Sequence, residues 1–182
     1  MVPPLLRREV LEAHATEGDY VHGYMLNPAF ETDVRNFNAV RPDVPMDFFW
    51  DKKDAPATVS PARNLRFHTI DDRRFIEAMA GCRAYATTAG FESVCEAMYL
   101  GKPVLMVPTH VEQDCNAYDA MASGAGIISD RFDIGALLDH ALIYRPNAAF
   151  AGWVDSCEAL MMAEIEQAFS PSGTPCLNLQ PT

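Results

Sequence analysis

Residues 84–107, AYATTAGFESVCEAMYLGKPVLMV, contain three predicted elements in a row. Ala84–Thr88 is a short apolar stretch that predicts a strand. Phe91–Leu100 has apolar residues at the i, i+3, i+4 and i+7 spacing of a helix, and the Gly-Lys-Pro that follows ends it. Val104–Val107 is a continuous apolar run, typical of a strand buried on both faces. Two strands joined by a helix predict a right-handed βαβ unit with parallel strands.

The same alternation of strand and helix patterns extends over most of the chain. Strands are predicted at Val21–Leu26, Met46–Trp50, Leu65–Ile70, Ala84–Thr88, Val104–Val107 and Gly126–Ser129. Helices are predicted at Glu31–Val40, from Asp71 or Asp72 to Gly81, and at Phe91–Leu100, Glu112–Ala122, Ile134–Ile143 and Trp153–Phe169, whereas residues 54–63, with two prolines, are predicted to form a loop. This order predicts an α/β, Rossmann-like, doubly wound and mostly parallel sheet of about six strands with helices on both faces.

The length and composition fit one globular domain. The chain has 182 residues, of which 49% are hydrophobic and 21% charged. A folded chain of this size buries roughly 70% of the surface that it exposes when unfolded. We predict one domain over residues 1–169. Residues 170–182 contain three prolines and no charged residue, and they are predicted to be a tail that wraps over the surface or is poorly ordered.

The composition disfavours several classes of protein. The net charge is −11 and the pI is near 4.7, without a basic stripe, so nucleic acid is not an expected partner. No apolar run reaches the roughly 18–20 residues of a transmembrane segment, and residues 1–10 lack the pattern of a secretory signal. The five cysteines are an odd number without a C-x-x-C pair. Reduced thiols in the cytoplasm are therefore expected, and a metal site is not.

Residues 87–97, TTAGFESVCEA, have the pattern of a binding site. They place a strand end, a tight turn and a helix start at the carboxyl edge of the sheet, where ligands bind in this fold class. Gly90 lets the backbone approach an anion closely, and the free amides around Glu92 and Ser93 favour a phosphate. Ser93 and Glu96 share one helix face, so a carboxylate one turn deeper is placed to accept two ribose hydroxyls.

The same residues have a plain structural interpretation. In this interpretation, Thr88 and Ser93 only cap the helix, and Glu96 is a solvated side chain. Residues 87–97 alone fit this interpretation and a nucleotide site about equally well.

A longer pattern favours the nucleotide site. It is TAGFESxxEAxxxGKPVLMVP over residues 88–108, followed by EQxxNA over residues 112–117. It resembles the donor-nucleotide signature of GT-B glycosyltransferases, most closely the plant and antibiotic UDP-glycosyltransferases and the peptidoglycan N-acetylglucosaminyltransferase. Those families have a Gly-rich turn, a Ser, a Glu three residues on, a Gly-x-Pro, and an acidic residue with Gln before Asn-Ala. The resemblance implies that the predicted domain is one half of a GT-B fold.

The resemblance also implies a role for each matching residue. The diphosphate loop is expected to contain Gly90, Phe91, Glu92 and Ser93. Glu96 is expected at the ribose hydroxyls, and the Ile70 backbone at the base. Glu112 and Gln113 are expected at the donor sugar, with Asn116 beside that loop or a phosphate. His110, close to Glu112, is a further candidate for contact with the sugar. Plant-type members have a His at the position of Thr88, aimed at the diphosphate, whereas Thr88 donates a hydrogen bond without a charge. The peptidoglycan-type enzymes lack that His as well.

By this resemblance, the chain is expected to be the C-terminal, donor-binding half of an enzyme that transfers a hexose or N-acetylhexosamine. Its ligand is a nucleotide-sugar, with a UDP-sugar favoured, and no other cofactor is expected. In GT-B enzymes an N-terminal domain holds the acceptor and, in inverting members, supplies the general base. No catalytic residue is identified here, so such a domain is an expected partner and the chain alone is expected to be inactive. A severed domain interface is also expected to allow self-association.

Two other functions remain open. A nucleotide-sugar epimerase of related fold shares the turn–Ser–Glu layout, although its catalytic carboxylates and histidine are not recognisable in this sequence. A noncatalytic Rossmann-like module that binds a protein would have no affinity for nucleotides. Titration with a nucleotide separates this module from the other two functions.

Overall fold

A computed structural model describes residues 2–169, and seven strands form one sheet. The strands are β1 (Val21–Met25), β2 (Met46–Trp50), β3 (Thr58–Ala62), β4 (Leu65–Thr69), β5 (Ala84–Thr87), β6 (Val104–Met106) and β7 (Gly126–Ile128). Their order across the sheet is β3-β4-β2-β1-β5-β6-β7, and the pairings are parallel except that of β3 with β4. The predicted doubly wound, mostly parallel α/β sheet is confirmed. The predicted tail, residues 170–182, lies outside the described residues.

Helices cover both faces of the sheet. They are α1 (Arg8–Leu11), α2 (Glu31–Val40), α3 (Asp72–Gly81), α4 (Phe91–Tyr99), α5 (Val111–Ala122), α6 (Ile134–Ile143), α7 (Ala148–Asp155) and α8 (Cys157–Phe169). The single helix predicted over Trp153–Phe169 is wrong. The helix breaks at Ser156, whose hydroxyl donates to the Trp153 carbonyl oxygen at 2.7 Å, a local bond that competes with continued helix. Asn147 caps the start of α7 by accepting from the Phe150 amide.

The loop predicted over residues 54–63 is also wrong, because its second half is strand β3. β3 lies at the edge of the sheet and pairs only with β4 among the described strands, with an irregular register between Val59 and Ala62. Proline cannot donate to a central ladder, but Pro61 is tolerated at an edge. The prolines that favoured a loop therefore also fit an edge strand.

β2 shows how the sheet is buried on both faces. Phe49 packs with Phe75 of α3 on one face, whereas Phe48 and Trp50 pack in the cluster beneath α2 and α6 on the other. Since successive strand residues point to opposite faces, a strand that is apolar at nearly every position has to be covered on both sides. The neighbouring β1 carries Gly23 because a Cβ there would lie 2.1 Å from the Phe48 ring.

The strand order reverses between β1 and β5. From β1 the chain adds β2 and β4 on one side, and it then crosses to β5, β6 and β7 on the other. The carboxyl ends of β1 and β5, at Met25 and Thr87, therefore border the crevice where doubly wound sheets bind ligands.

Lys102 ties the N-terminal segment, which we define as residues 2–16, to the sheet. Its buried ammonium donates to the carbonyl oxygens of Thr16 at 2.5 Å and Cys82 at 2.8 Å. Burial lowers the pKa of Lys102. Further along the segment, Val10 is fully buried and α1 packs on α3. The segment is thus held at two points before β1 begins.

His22 of β1 lies in the centre of the core. Its ring is fully buried and lies 4.8–5.4 Å, between centroids, from the rings of Phe49, Phe75 and Tyr85. Within residues 2–169, neither ring nitrogen has a hydrogen-bond partner. Burial therefore lowers the pKa of His22 from 6.5 to about 3.

We expect His22 to make stability depend on pH. Below pH 6.5 the unfolded chain protonates this histidine while the folded chain does not, until the pH approaches 3. The free energy of unfolding should therefore fall in this window, by up to about 1.4 kcal/mol per pH unit from this residue. Urea unfolding at pH 7.5, 6 and 5 measures the slope. His22→Leu should flatten it, and His14→Leu, at an exposed histidine, should not. Equal slopes in all three proteins would contradict the assignment.

Candidate functional site

A cavity of about 210 Å³ lies between the end of β1, the first turns of α3 and the first turns of α4, the helix that follows β5. Tyr24 of β1 lines it on one side and Ile70, directly after β4, on another. The first turns of α4 close it from above. The described residues that line it are Arg7, Tyr24, Ile70, Asp72, Phe75, Glu92, Ser93 and Glu96. The fold thus brings together Ile70, Glu92, Ser93 and Glu96, four residues selected from the sequence.

A larger groove of about 620 Å³ lies beside this cavity. It shares Arg7 and Asp72 with the cavity and continues along Ile76 and Ala80 of α3. The described residues of its wall come from the N-terminal segment and α3, with none from β1, β5 or α4. The smaller cavity, at the reversal of strand order, is therefore the candidate site.

The turn between β5 and α4 depends on Ala89 rather than on Gly90. Ala89 has a φ of +60°, and it is the one non-glycine residue with positive φ within residues 2–169. Such a conformation is strained for a residue with a Cβ, and strained residues cluster at functional sites. Gly90 is extended, with φ −64° and ψ 133°, as any residue can be. A Cβ at Gly90 would meet only the Ser93 Oγ, at 3.8 Å, so the glycine leaves the surface of the turn open.

The N-terminus of α4 has no side-chain cap. Ser93 Oγ donates to the Gly90 carbonyl oxygen at 3.3 Å, and no side chain of residues 2–169 accepts from the first amides of the helix. Thr88 is buried, and Glu96 is only 2% exposed. The interpretation in which Thr88 and Ser93 cap the helix and Glu96 is solvated is therefore wrong. The amides of the first turn and the positive end of the helix dipole remain available to an anion.

The buried Glu96 carboxylate is paired with Arg7, a residue that the sequence analysis missed. Arg7 Nε lies 2.6 Å from Glu96 Oε1, and Nη2 lies 2.7 Å from Oε2. These hydrogen bonds raise the pKa of Arg7. The two residues are 89 positions apart, and no local motif connects them. Nothing in the sequence pattern indicates this contact, apart from the fact that an arginine precedes β1.

The residues expected at the donor sugar lie on α5 and the loop before it. Gln113 is buried, and its Oε1 accepts from the Thr109 amide at 2.9 Å and the Thr109 hydroxyl at 2.8 Å. His110 and Glu112 are exposed. None of these residues lines the 210 Å³ cavity.

Asn116 and Phe91 line a different cavity. This second cavity, of about 370 Å³, lies between α4, α5 and α7 and is mostly apolar, with Val94, Met98 and Trp153 among its walls. The ribose-side residues and Asn116 are thus not brought into one cavity by the described part of the chain.

Residues 2–169 contain neither a candidate metal-binding cluster nor a candidate membrane-spanning helix. No group of three or more His, Cys, Asp or Glu side chains there is arranged to hold a metal ion. No helix in that range is long and apolar enough to cross a membrane.

The sequence matches a known family over most of its length. A family model described as "Glycosyl transferase family 1" matches residues 1–145. The Caenorhabditis elegans protein "Putative UDP-glucuronosyltransferase ugt-48" is 36% identical over 52 residues, which are 29% of this chain and 10% of that protein.

Solved structures share the fold at low identity. The glycotransferase of kitacinnamycin is 17% identical, with a TM-score of 0.66 over 91% of this chain and 48% of its own. The spinosyn rhamnosyltransferase SpnG in complex with thymidine diphosphate is 17% identical, with a TM-score of 0.58 over 90% and 48%. The calicheamicin glycosyltransferase CalG4 is 18% identical, with a TM-score of 0.57 over 90% and 45%.

These structures are GT-B glycosyltransferases, so the expected GT-B type of Rossmann-like fold is confirmed. The chain spans about half the length of each of them. The family match over residues 1–145 shows that the chain belongs to glycosyl transferase family 1.

Proposed function

We propose that this chain is the donor-binding half of a glycosyltransferase and that the 210 Å³ cavity takes the ribose and diphosphate of a nucleotide-sugar. The observation that carries the proposal is the pairing of two features of α4. Its N-terminus is uncapped, and a buried carboxylate, Glu96, lies within its second turn in the same cavity wall as Ser93. A phosphate suits the first feature, and vicinal hydroxyls suit the second.

The diphosphate would be held by backbone dipoles. The chain has a net charge of −11, and the cavity lining contains three carboxylates, Asp72, Glu92 and Glu96, and one cation, Arg7. Net charge therefore does not attract the ligand. The amides at the start of α4, the positive end of its dipole and the open surface at Gly90 support binding of the anion, and Ser93 adds a hydroxyl within the cavity.

The nucleoside would lie deeper along the same wall. Each oxygen of an ionised carboxylate accepts two hydrogen bonds, so Glu96 keeps acceptors for two ribose hydroxyls while it is paired with Arg7. Ile70 is half-exposed at the edge of the cavity and offers its backbone to a base. We favour a ribonucleotide because two ribose hydroxyls match the two carboxylate oxygens, and UDP among the ribonucleotides because of the resemblance to UDP-glycosyltransferases. The complex of SpnG with thymidine diphosphate shows that a related fold binds a nucleotide with one such hydroxyl.

A second domain would be needed for transfer. Four large apolar side chains, Leu26, Ile70, Phe91 and Val111, follow the carboxyl ends of β1, β4, β5 and β6, and each is 46% exposed or more. We call these four residues the apolar rim. Ile70 of this rim also lines the cavity, and exposed apolar side chains of this size have the character of an interaction surface. This supports an acceptor-binding domain that supplies the general base, and the chain alone would bind the donor without transferring the sugar.

Replacement of Glu96 tests the nucleotide site. We expect the 182-residue chain to bind UDP in isothermal titration calorimetry and Glu96→Gln to weaken this binding by about 10-fold or more, because a neutral amide accepts hydrogen bonds from hydroxyls less strongly than a carboxylate does. Glu164→Gln on α8, at an exposed glutamate, is the matched control. Equal UDP affinity in all three proteins would contradict the ribose assignment, and no UDP binding by the unmodified chain would contradict the proposed function.

Gln113 and Glu112 allow a sugar contact to be separated from a structural one. Gln113→Ala removes the acceptor of two Thr109 bonds and should lower the free energy of unfolding by about 1–2 kcal/mol. Glu112→Ala, at an exposed position, should change it by less than about 0.5 kcal/mol. If Glu112 contacts the sugar, Glu112→Ala should weaken binding of UDP-N-acetylglucosamine or UDP-glucose but not of UDP. If Glu112→Ala weakens binding of UDP as much as binding of the UDP-sugars, Glu112 does not act through a contact with the sugar.

The apolar rim should make the isolated chain self-associate. Sedimentation velocity over a range of concentrations should show reversible association of the 182-residue chain. Leu26→Ser with Val111→Ser should shift the chain towards monomer, because both substitutions remove exposed apolar surface at the rim. Leu142→Ser is the control, since Leu142 is 67% exposed at the far end of α6. An equal effect of the control would show that the rim is not the contact.

A further inference from the structure

The ion pair between Arg7 and Glu96 joins the candidate site to the N-terminal segment. Arg7 presents Nε and Nη2 side by side to the two carboxylate oxygens, at 2.6 and 2.7 Å. This is the two-pronged geometry in which a guanidinium fixes the plane of a carboxylate as well as neutralising its charge. The pair therefore constrains the rotation of the Glu96 side chain.

The pair leaves part of the carboxylate free. An ionised carboxylate has about four acceptor positions, and the guanidinium uses one on each oxygen. Arg7, Ser93 and Glu96 all line the 210 Å³ cavity. A hydroxyl-bearing ligand in this cavity would therefore meet a carboxylate that is already oriented and that still has one acceptor on each oxygen.

The backbone around Arg7 is anchored by contacts with α3 and with Lys102. It is the N-cap residue of α1, with an extended backbone, and Val10 three residues later is fully buried. C-terminal to α1, the Thr16 carbonyl oxygen accepts a hydrogen bond from Lys102 Nζ. The guanidinium thus reaches Glu96 from a backbone that is anchored elsewhere in the fold.

The other carboxylate near Arg7 does not compete with Glu96. Asp72 Oδ1 lies 3.9 Å from Arg7 Nη1, and its side chain is 88% exposed, whereas that of Glu96 is 2% exposed. An exposed pair at this distance contributes little, whereas a buried carboxylate depends strongly on its partner. The fold therefore directs the guanidinium to Glu96.

We propose that Arg7 is a positioning residue for the nucleotide ribose: its two hydrogen bonds hold the Glu96 carboxylate in the rotation that offers one free acceptor to each ribose hydroxyl. This inference rests on the proposed function. Without Arg7, the buried carboxylate loses both its counter-charge and its fixed plane, so its preference for two neighbouring hydroxyls is lost.

The test compares UDP with 2′-deoxyuridine diphosphate, which lacks one hydroxyl. Both are titrated calorimetrically into the 182-residue chain and its Arg7→Ala, Arg7→Lys and Arg8→Ala variants. The unmodified chain should prefer UDP by about 10-fold, the effect of one hydrogen bond to a charged acceptor. Arg7→Ala and Arg7→Lys should reduce this preference to about 2-fold or less, since lysine keeps the charge but not the planar pair of donors. Arg8→Ala, which removes only an exposed contact with Glu12, should keep it.

The ratio of the two affinities separates the possible outcomes. A purely structural role of Arg7 would weaken both nucleotides equally and keep the ratio, which would overturn the inference. An increase in UDP affinity in Arg7→Ala would overturn it as well, because Arg7 would then compete with the ribose. Arg7→Lys provides the test if Arg7→Ala does not fold. If the unmodified chain binds neither nucleotide, the proposed function itself fails, whereas a ribose preference that survives in the Arg7 variants refutes only the role of Arg7.

Discussion

The parallel sheet of this protein is buried on both faces, and this burial limits where a charged cavity can form. The central strands have apolar side chains on both sides, so helices have to cover both faces, and the chain has to reverse its direction of winding between β1 and β5. Polar side chains placed on either face would be costly unless they were paired. The carboxyl edge of the sheet is therefore where a cavity with charged walls can form without disrupting the core.

The electrostatics at this edge of the sheet are set by nearby charges and dipoles and not by the net charge of the whole chain. The chain is strongly acidic, yet the one acid that is almost fully buried in the cavity wall is matched by a single arginine. The first turn of α4 adds amides that no side chain in the described part of the chain caps. An acidic protein can in this way present a small site with donors for an anion and acceptors for hydroxyls, because dipoles and paired charges act over only a few ångströms.

Local periodicity predicted most of the fold, and it failed where context decided. The six predicted strands are all present. Runs such as Val104–Met106 are apolar at every position and lie next to turn residues, and few structures other than a buried strand fit this pattern. β3 was missed because two prolines suggest a loop, and only its place at the edge of the sheet makes a strand with Pro61 possible. The break at Ser156 was missed because apolar spacing continues across it, while a side-chain bond to the backbone ends α7.

Spacings of a few residues were enough to predict the βαβ unit around residues 84–107 and the helix face shared by Ser93 and Glu96. The tertiary structure decided that Ile70 meets this face in one cavity, that Asn116 lies in another, and that Gln113 turns towards Thr109. It also decided that Arg7 reaches Glu96 across 89 positions of the chain. Such contacts depend on how separate elements pack against each other. Residues that meet only through this packing are not a regular number of positions apart, so a sequence pattern cannot reveal the contact.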